Sequence, residues 1–360
     1  MEGSIECSDQ GVEFFETRVN CKLADILKKP QIETISRLFP VSSDESLNGA
    51  EIGCLLLIQF TTFDCGGTAI GTCFSHKVAD ACSIATFMND WASIARDPSA
   101  VISPQFTGTS LFPLNDQKAI SSKMMSADAN CSTRRLVFYA TKIDHLKARA
   151  QKGSSEAIQA TRFEVISAII CKSITSAFRS LNLPEPGVLN VIVNLRKRME
   201  PKLSNHHVGN FALHNLIEVA ENERDLHGLV CLLKAGMAKF GENFTGKHTQ
   251  YELSSKICES YDELGKLPRS NHGEMLLFSS WCRFPFYEVD FGSGKPAWVS
   301  SLPSPTKNCI FLCDSRKGDA VEAWVSLEDR VMNLFECDEE LLAFASANPS
   351  PLEIEEDVNC

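Results

Sequence analysis

The sequence predicts an α/β protein of about two domains, built as layers of helices on mixed sheets. Three observations carry that expectation. Strand-like and helix-like segments alternate, but without the regular βαβ rhythm of a doubly wound parallel sheet. The 360 residues, at roughly 150 per domain, suffice for two cores. A hydrophobic share of 44% and a charged share of 22% are ordinary for a globular chain, which excludes a disordered tail, a collagen-like rod and a coiled coil.

Each element follows from period and punctuation. Residues 52–60 form an apolar run, Asp64-Cys65-Gly66-Gly67 is a turn, and residues 68–75 resume as strand, which predicts an antiparallel hairpin. Residues 81–96 have helical spacing, with Ile84, Phe87, Met88, Trp91 and Ile94 on one stripe, and Pro98 stops them. Residues 101–130 have no period and carry Pro104 and Pro113, so they read as a crossing segment between domains. Beyond it lie a short strand at 135–139, helices at 142–151 and 160–181, a β-branched strand at 189–193 and a helix over 222–240. Residues 275–281 and 308–313 read as strands, and the second is tied by a turn at 315–319 to a strand at 320–325. Ser326 is expected to cap a final helix reaching Ala345.

Charge narrows the partners. With 46 acidic against 35 basic residues the formal charge is -11, and long basic runs are absent, so nucleic acid is not an expected partner. An anionic co-substrate stays open, because it meets only the local field of its groove. The 15 cysteines are odd in number and scattered from Cys7 to Cys360, without a C-x-x-C pair; Cys309 and Cys313 come nearest to ligand spacing, and no metal is expected. Residues 1–20 lack the apolar core of a signal peptide, and the longest apolar stretch, around 54–58, is too short for a bilayer. Free, mostly buried thiols in the cytoplasm, with no membrane partner, are the resulting expectation.

Local chemistry centres on Ser75-His76-Lys77-Val78-Ala79-Asp80, which follows an apolar strand and opens a helix. An imidazole held there can act as a general base near neutral pH. By pattern alone, a hydrogen-bonded histidine beside a helix-capping aspartate has an equal claim. Asp290-Phe291-Gly292-Ser293-Gly294-Lys295-Pro296 carries a Gly-Lys pair, but it lacks the first glycine of a phosphate loop and has Pro296 where Ser or Thr is needed. It reads as a tight loop in which glycine supplies positive φ. In Asn194-Leu195-Arg196-Lys197-Arg198, surface charge is the usual reading, although the end of a strand suits one arginine as a buried carboxylate partner. His206 and His207 lack a third ligand, and no G-x-S-x-G elbow exists.

Taken in order, these motifs resemble the BAHD family of plant acyl-CoA-dependent acyltransferases, in particular its alkaloid acetyltransferase branch. The resemblance begins at Ile5-Glu6-Cys7-Ser8-Asp9-Gln10-Gly11-Val12-Glu13-Phe14 and passes through Cys65-Gly66-Gly67-Thr68-Ala69-Ile70-Gly71 and the His76 to Asp80 motif. It continues in the strand end at 193–199, Gly209-Asn210, Ser280-Trp281-Cys282-Arg283 and the Asp290 loop, and closes on residues 318–324. It implies a chloramphenicol acetyltransferase-like α/β fold of two mixed-sheet domains with a channel between them. It further implies His76 as the base that deprotonates an acceptor alcohol for attack on acyl-CoA, expected to be acetyl-CoA, in a ternary complex. Asp80 and Arg196 would brace the catalytic loop. Asp290, Phe291, Gly292 and Gly294 would form the family's second signature on the CoA side. Asn194, Gly209, Asn210, Ser280 and Trp281 would line the channel or CoA side.

The family pattern implies domains at 1–117, joined by about 288–313, and at 131–360, with a crossover at 118–130. Two features depart from it. Ser293 replaces the usual tryptophan of the second signature, which predicts either a void or an exposed loop. Met1 falls where the pattern is already internal, so the first domain is expected to be incomplete by on the order of 75 residues. A monomer is expected, with a partner or aggregation as the consequence of exposed sheet edges. The alternative expectation is a catalytically impaired, truncated paralogue that only binds CoA or a partner.

Overall fold

Two mixed sheets organise the chain. The computed structural model describes residues 5–6, 8–40, 54–111, 130–151, 158–220, 224–244, 248, 250–266, 274–304 and 306–353. The first sheet has the order β1-β2-β3, formed by Glu13–Val19, Leu56–Phe63 and Thr68–Phe74. β2 and β3 make the expected antiparallel hairpin, and Gly66 at φ 79° supplies the left-handed residue of its turn. β1 runs parallel to β2, from Glu13 opposite Leu57 to Val19 opposite Phe63.

Short helices α1 (Leu23–Lys28) and α2 (Ile32–Ser36) follow β1. The chain after α2 then lies directly across β3. A Cβ at Gly71 would stand 2.0 Å from the Leu38 carbonyl oxygen, so only a residue without a side chain admits this crossing. Buried Gln59 of β2 fastens the same segment by donating to the Arg37 carbonyl at 2.9 Å. After β3 comes α3 (Ala81–Arg96), at the bounds its spacing predicts.

The second sheet has seven strands in the order β10-β4-β9-β8-β7-β5-β6. They are β4 (Cys131–Phe138), β5 (Val188–Asn194), β6 (Ala212–Glu218), β7 (Met275–Ser280), β8 (Cys309–Asp314), β9 (Val321–Glu328) and β10 (Ser346–Ala347). β5, β7 and β8 are neighbours in parallel, whereas the other pairings are antiparallel. Helices α4 (Ala140–Gln151), α5 (Arg162–Ser180) and α6 (Leu226–Phe244) share one core with this sheet. α5 opens on a capping box: Glu164 N–H donates to Thr161 Oγ1 at 3.2 Å, and Thr161 N–H to Glu164 Oε2 at 2.8 Å. Val165, Ile166, Ile169, Ile170 and Ile174 then bury it on nearly every side. α7 (Gln250–Lys266) lies against β6, and α8 (Asp329–Phe335) packs on α5.

Several expectations are corrected. The helix expected over 222–240 runs over Leu226–Phe244, and residues 222 and 223 of the expected span lie outside the described residues. β6 and α7 have no counterpart in the sequence reading, although β6 alternates plainly, with Leu213, Asn215 and Ile217 buried. Ser326 is not a helix cap. It lies inside β9, and its hydroxyl meets Thr133 Oγ1 at 2.6 Å across the sheet, so the final helix starts only at Asp329 and breaks after Phe335.

Of the stretch 288–313 expected to join the first domain, residues 309–313 belong to the seven-stranded sheet, because β8 pairs with β7 and β9. The crossover expected at 118–130 lies outside the described residues except for Asn130. The described cysteines form no disulfide, but they are not mostly buried: Cys82, Cys171 and Cys309 are buried, Cys65 and Cys337 are exposed, and the rest lie between. No helix among the described residues is long and apolar enough to cross a membrane.

Candidate active site at the seam

β3 delivers the chain to a turn in which Val78 N–H donates to the Ser75 carbonyl at 3.1 Å, and His76 lies inside that turn. The turn ends at Ala79 and Asp80, both buried, and Asp80 caps α3 by accepting from Ser83 N–H at 2.9 Å. His76 is exposed, and its backbone carbonyl accepts from Asn210 Nδ2 at 2.7 Å, so a residue of the second sheet's lobe holds the turn in place.

The principal tie is Asp80 with Arg196. Arg196 follows the end of β5, where Asn194 Oδ1 accepts its N–H at 3.0 Å and turns the chain. Its guanidinium meets Asp80 with both terminal nitrogens, Nη1 to Oδ2 at 2.7 Å and Nη2 to Oδ1 at 3.1 Å. The side chains are 0% and 9% exposed. Such a fork suits a planar carboxylate, and burial makes it depend on its remaining partners.

Those partners are present. The guanidinium also donates to the carbonyls of His207 (2.8 Å) and Gly209 (3.1 Å) and to Ser83 Oγ (2.9 Å), with Phe211 under it at 4.8 Å from its ring centroid. Phe211 N–H supplies a further donor to Asp80 Oδ2 at 3.0 Å. Each carboxylate oxygen therefore accepts two hydrogen bonds, none of them from the His76 ring. Asp80 fixes the loop; it does not orient the imidazole.

Gly209 completes the arrangement. Its φ is 141°, and an added Cβ would stand 3.2 Å from the Phe211 ring. Its N–H donates to Ser83 Oγ at 3.1 Å, while Thr86 Oγ1 donates to the Asn205 carbonyl at 3.2 Å. The N-terminal half of α3 thus faces the other lobe with small polar residues. This explains why the aromatic stripe is not its most buried face: Phe87 remains 41% and Ile94 45% exposed. Burial raises the pKa of Cys82 on the same turn, so that thiol is no rival nucleophile.

The second signature lies at the other end of α3. The Phe291 ring meets Trp91 edge-on at 4.7 Å, and Arg96 donates to the Asp290 carbonyl. At 1.5 Å per residue, Trp91 is about 16 Å along the helix from Asp80. Asp290 Oδ1 accepts from Gly292 N–H at 2.7 Å and Gly294 N–H at 2.9 Å, which holds its carboxyl below the usual range. Both glycines have φ of 100°, and Ser293 between them is exposed. The missing indole leaves an exposed loop rather than a void.

The structure therefore gathers His76, Asp80, Asn194, Arg196, Gly209 and Asn210 in one place. It leaves Asp290, Phe291, Gly292 and Gly294 at the far end of α3. Ser280 and Trp281 sit elsewhere again: Trp281 packs at 5.3 Å from Phe311 and 6.0 Å from Phe286, in a crevice of the second lobe that His76 does not line. The sequence reading missed Ser83, Thr86 and the carbonyls of Asn205 and His207. Ser83 had a legible signal, one helical turn after a capping aspartate; the carbonyls had none.

Comparison with known proteins bears on the family and the fold. The profile of the Transferase family matches residues 2–342. The 17,18-epoxy-17-hydroxycur-19-ene N-malonyltransferase of Strychnos nux-vomica is 38% identical over 347 residues, 96% of this chain and 74% of that protein. Akuammiline synthase 1 of Alstonia scholaris is 38% identical over 344 residues, 95% of this chain and 79% of its own length. Among solved structures, vinorine synthase superposes with a TM-score of 0.78 at 30% identity, covering 97% of this chain and 80% of that one.

Proposed function

Since the chain belongs to the Transferase family of BAHD acyltransferases and is an acyltransferase, we propose that it moves an acyl group from acyl-CoA to a hydroxyl of an alkaloid or terpenoid, with acetyl as the group and His76 as general base. The imidazole takes the proton of the acceptor hydroxyl, and the resulting alkoxide attacks the thioester carbonyl. The tetrahedral oxyanion collapses with cleavage of the C–S bond, and the proton leaves with the CoA thiol. A free alcohol is a poor nucleophile near neutral pH, and a positioned base contributes about 10²–10⁴-fold.

The observation that supports this reading is a fully satisfied Asp80–Arg196 pair beneath a histidine whose backbone is held by Asn210 and whose side chain stays exposed. The loop is held from both lobes, and the exposed imidazole keeps its nitrogens open to a substrate.

The test is release of CoA thiol from acetyl-CoA, with malonyl-CoA in parallel, in the presence of a panel of alkaloid and terpenoid alcohols. His76→Ala should lower turnover by at least about 100-fold with an unchanged melting temperature. Undiminished turnover would remove the histidine from the mechanism, and a preference for malonyl-CoA would replace acetyl.

A further inference from the structure

A second histidine, far from the seam in sequence and fold, has the features of an activated pair. His227 and Cys231 lie four residues apart on α6, so they share one face of the helix. His227 Nδ1 is 2.7 Å from the carbonyl oxygen of Ala150 near the end of α4, and its Nε2 is 3.5 Å from Cys231 Sγ. A carbonyl can only accept, so Nδ1 carries a proton, and Nε2 is the ring nitrogen that faces the sulfur. Nucleophile, base and a third group that orients the base therefore stand in line.

The surroundings let this pair react. Cys231 and His227 are both half-buried, unlike the enclosed thiols of the core. Close by in the chain, Asp225, just before the helix, accepts from Gly228 N–H at 2.7 Å, and Lys234 donates to the Gln159 carbonyl at 2.7 Å. Contrast the buried thiols. Burial pushes Cys171 and Cys309 up to about 12, which keeps both protonated and inert.

We propose that Cys231, with His227 as its base, is a site of thiol modification by a disulfide electrophile such as oxidised glutathione. Cys231 Sγ attacks one sulfur of the disulfide while its proton passes to His227 Nε2. A new S–S bond forms as the old one breaks, and the departing thiolate takes the proton to become a free thiol. Oxidised glutathione is the oxidant, so the exchange needs no other reactant. The proposal is independent of the acyl-transfer reading.

The experiment uses the whole chain, exposed to oxidised glutathione at about pH 7, with the adducts located by peptide mass mapping. An ordinary thiol is only a few per cent thiolate there, so Cys231 should be modified about 10-fold faster than exposed Cys337. His227→Gln should lower the Cys231 rate by about the same factor, and leave the rates of Cys65 and Cys337 unchanged as internal references. Modification of Cys231 no faster than Cys337 in the unaltered protein would overturn the proposal without any variant. So would a Cys231 rate that survives His227→Gln.

Discussion

Asp80 and Asp290 are two aspartates that both gather backbone N–H groups, yet they serve opposite ends of one helix in opposite ways. Asp80 is buried and bidentate to Arg196, and it accepts from Ser83 on its own side and Phe211 on the other. Among the described residues, the Asp290 carboxylate accepts from Gly292 and Gly294 of its own turn. The first joins two lobes through hydrogen bonds that neither lobe can satisfy alone. The second closes a loop that would be solvated if opened. A conspicuous motif is therefore not by itself a structural keystone; burial and the origin of the donors decide.

The comparison is broken most directly at Arg196. Arg196→Ala leaves a buried carboxylate with half its partners, and the loss should be about 3–5 kcal/mol by denaturant melt. A loss under about 1 kcal/mol would mean that the pair behaves as a surface contact, and the contrast with Asp290 would vanish. Gly209→Ala should follow, at roughly 1–3 kcal/mol, because an alanine must adopt a positive φ against the Phe211 ring. If the cost is backbone strain, Phe211→Leu should not relieve it; if it is the ring contact, it should.

Asp290→Asn sharpens the other side. Its folded carboxyl titrates below the usual range, so its contribution is present above that range and disappears as pH falls through the lower, folded value. The wild type should therefore lose a small increment of melting temperature in acid that Asp290→Asn lacks, and the two curves should run parallel at neutral pH. Ser293→Trp should change least, within about 0.5 kcal/mol by the same melt, since the position is exposed.

Much of this architecture is legible in the amino-acid sequence alone. The 68–75 hairpin partner and α3 announce themselves by turn residues, helical period and Pro98, which are local signals. Pairing Asp80 with Arg196 is different: the residues are 116 apart, and only the ordered motifs of a family resemblance join them. β1 was illegible for a physical reason. Six of its seven residues are exposed, so no alternation of buried and exposed side chains marks the strand. The end of β9 misled because Ser326 and the acidic residues after it look like a helix start, whereas the hydroxyl of Thr133 claims Ser326 across the sheet. The polar carbonyls around Arg196 leave no trace in side-chain identity at all.

Gly71 has a consequence for the order in which the chain assembles. The β2–β3 hairpin joins neighbours in sequence and can form early, whereas β1 and the segment over Gly71 must return across a much longer separation, at greater loop-closure cost. A side chain at position 71 would meet that late arrival and not the hairpin itself. The glycine thus keeps a berth open: its bareness bears on the closure of this longer loop and leaves the hairpin itself untouched.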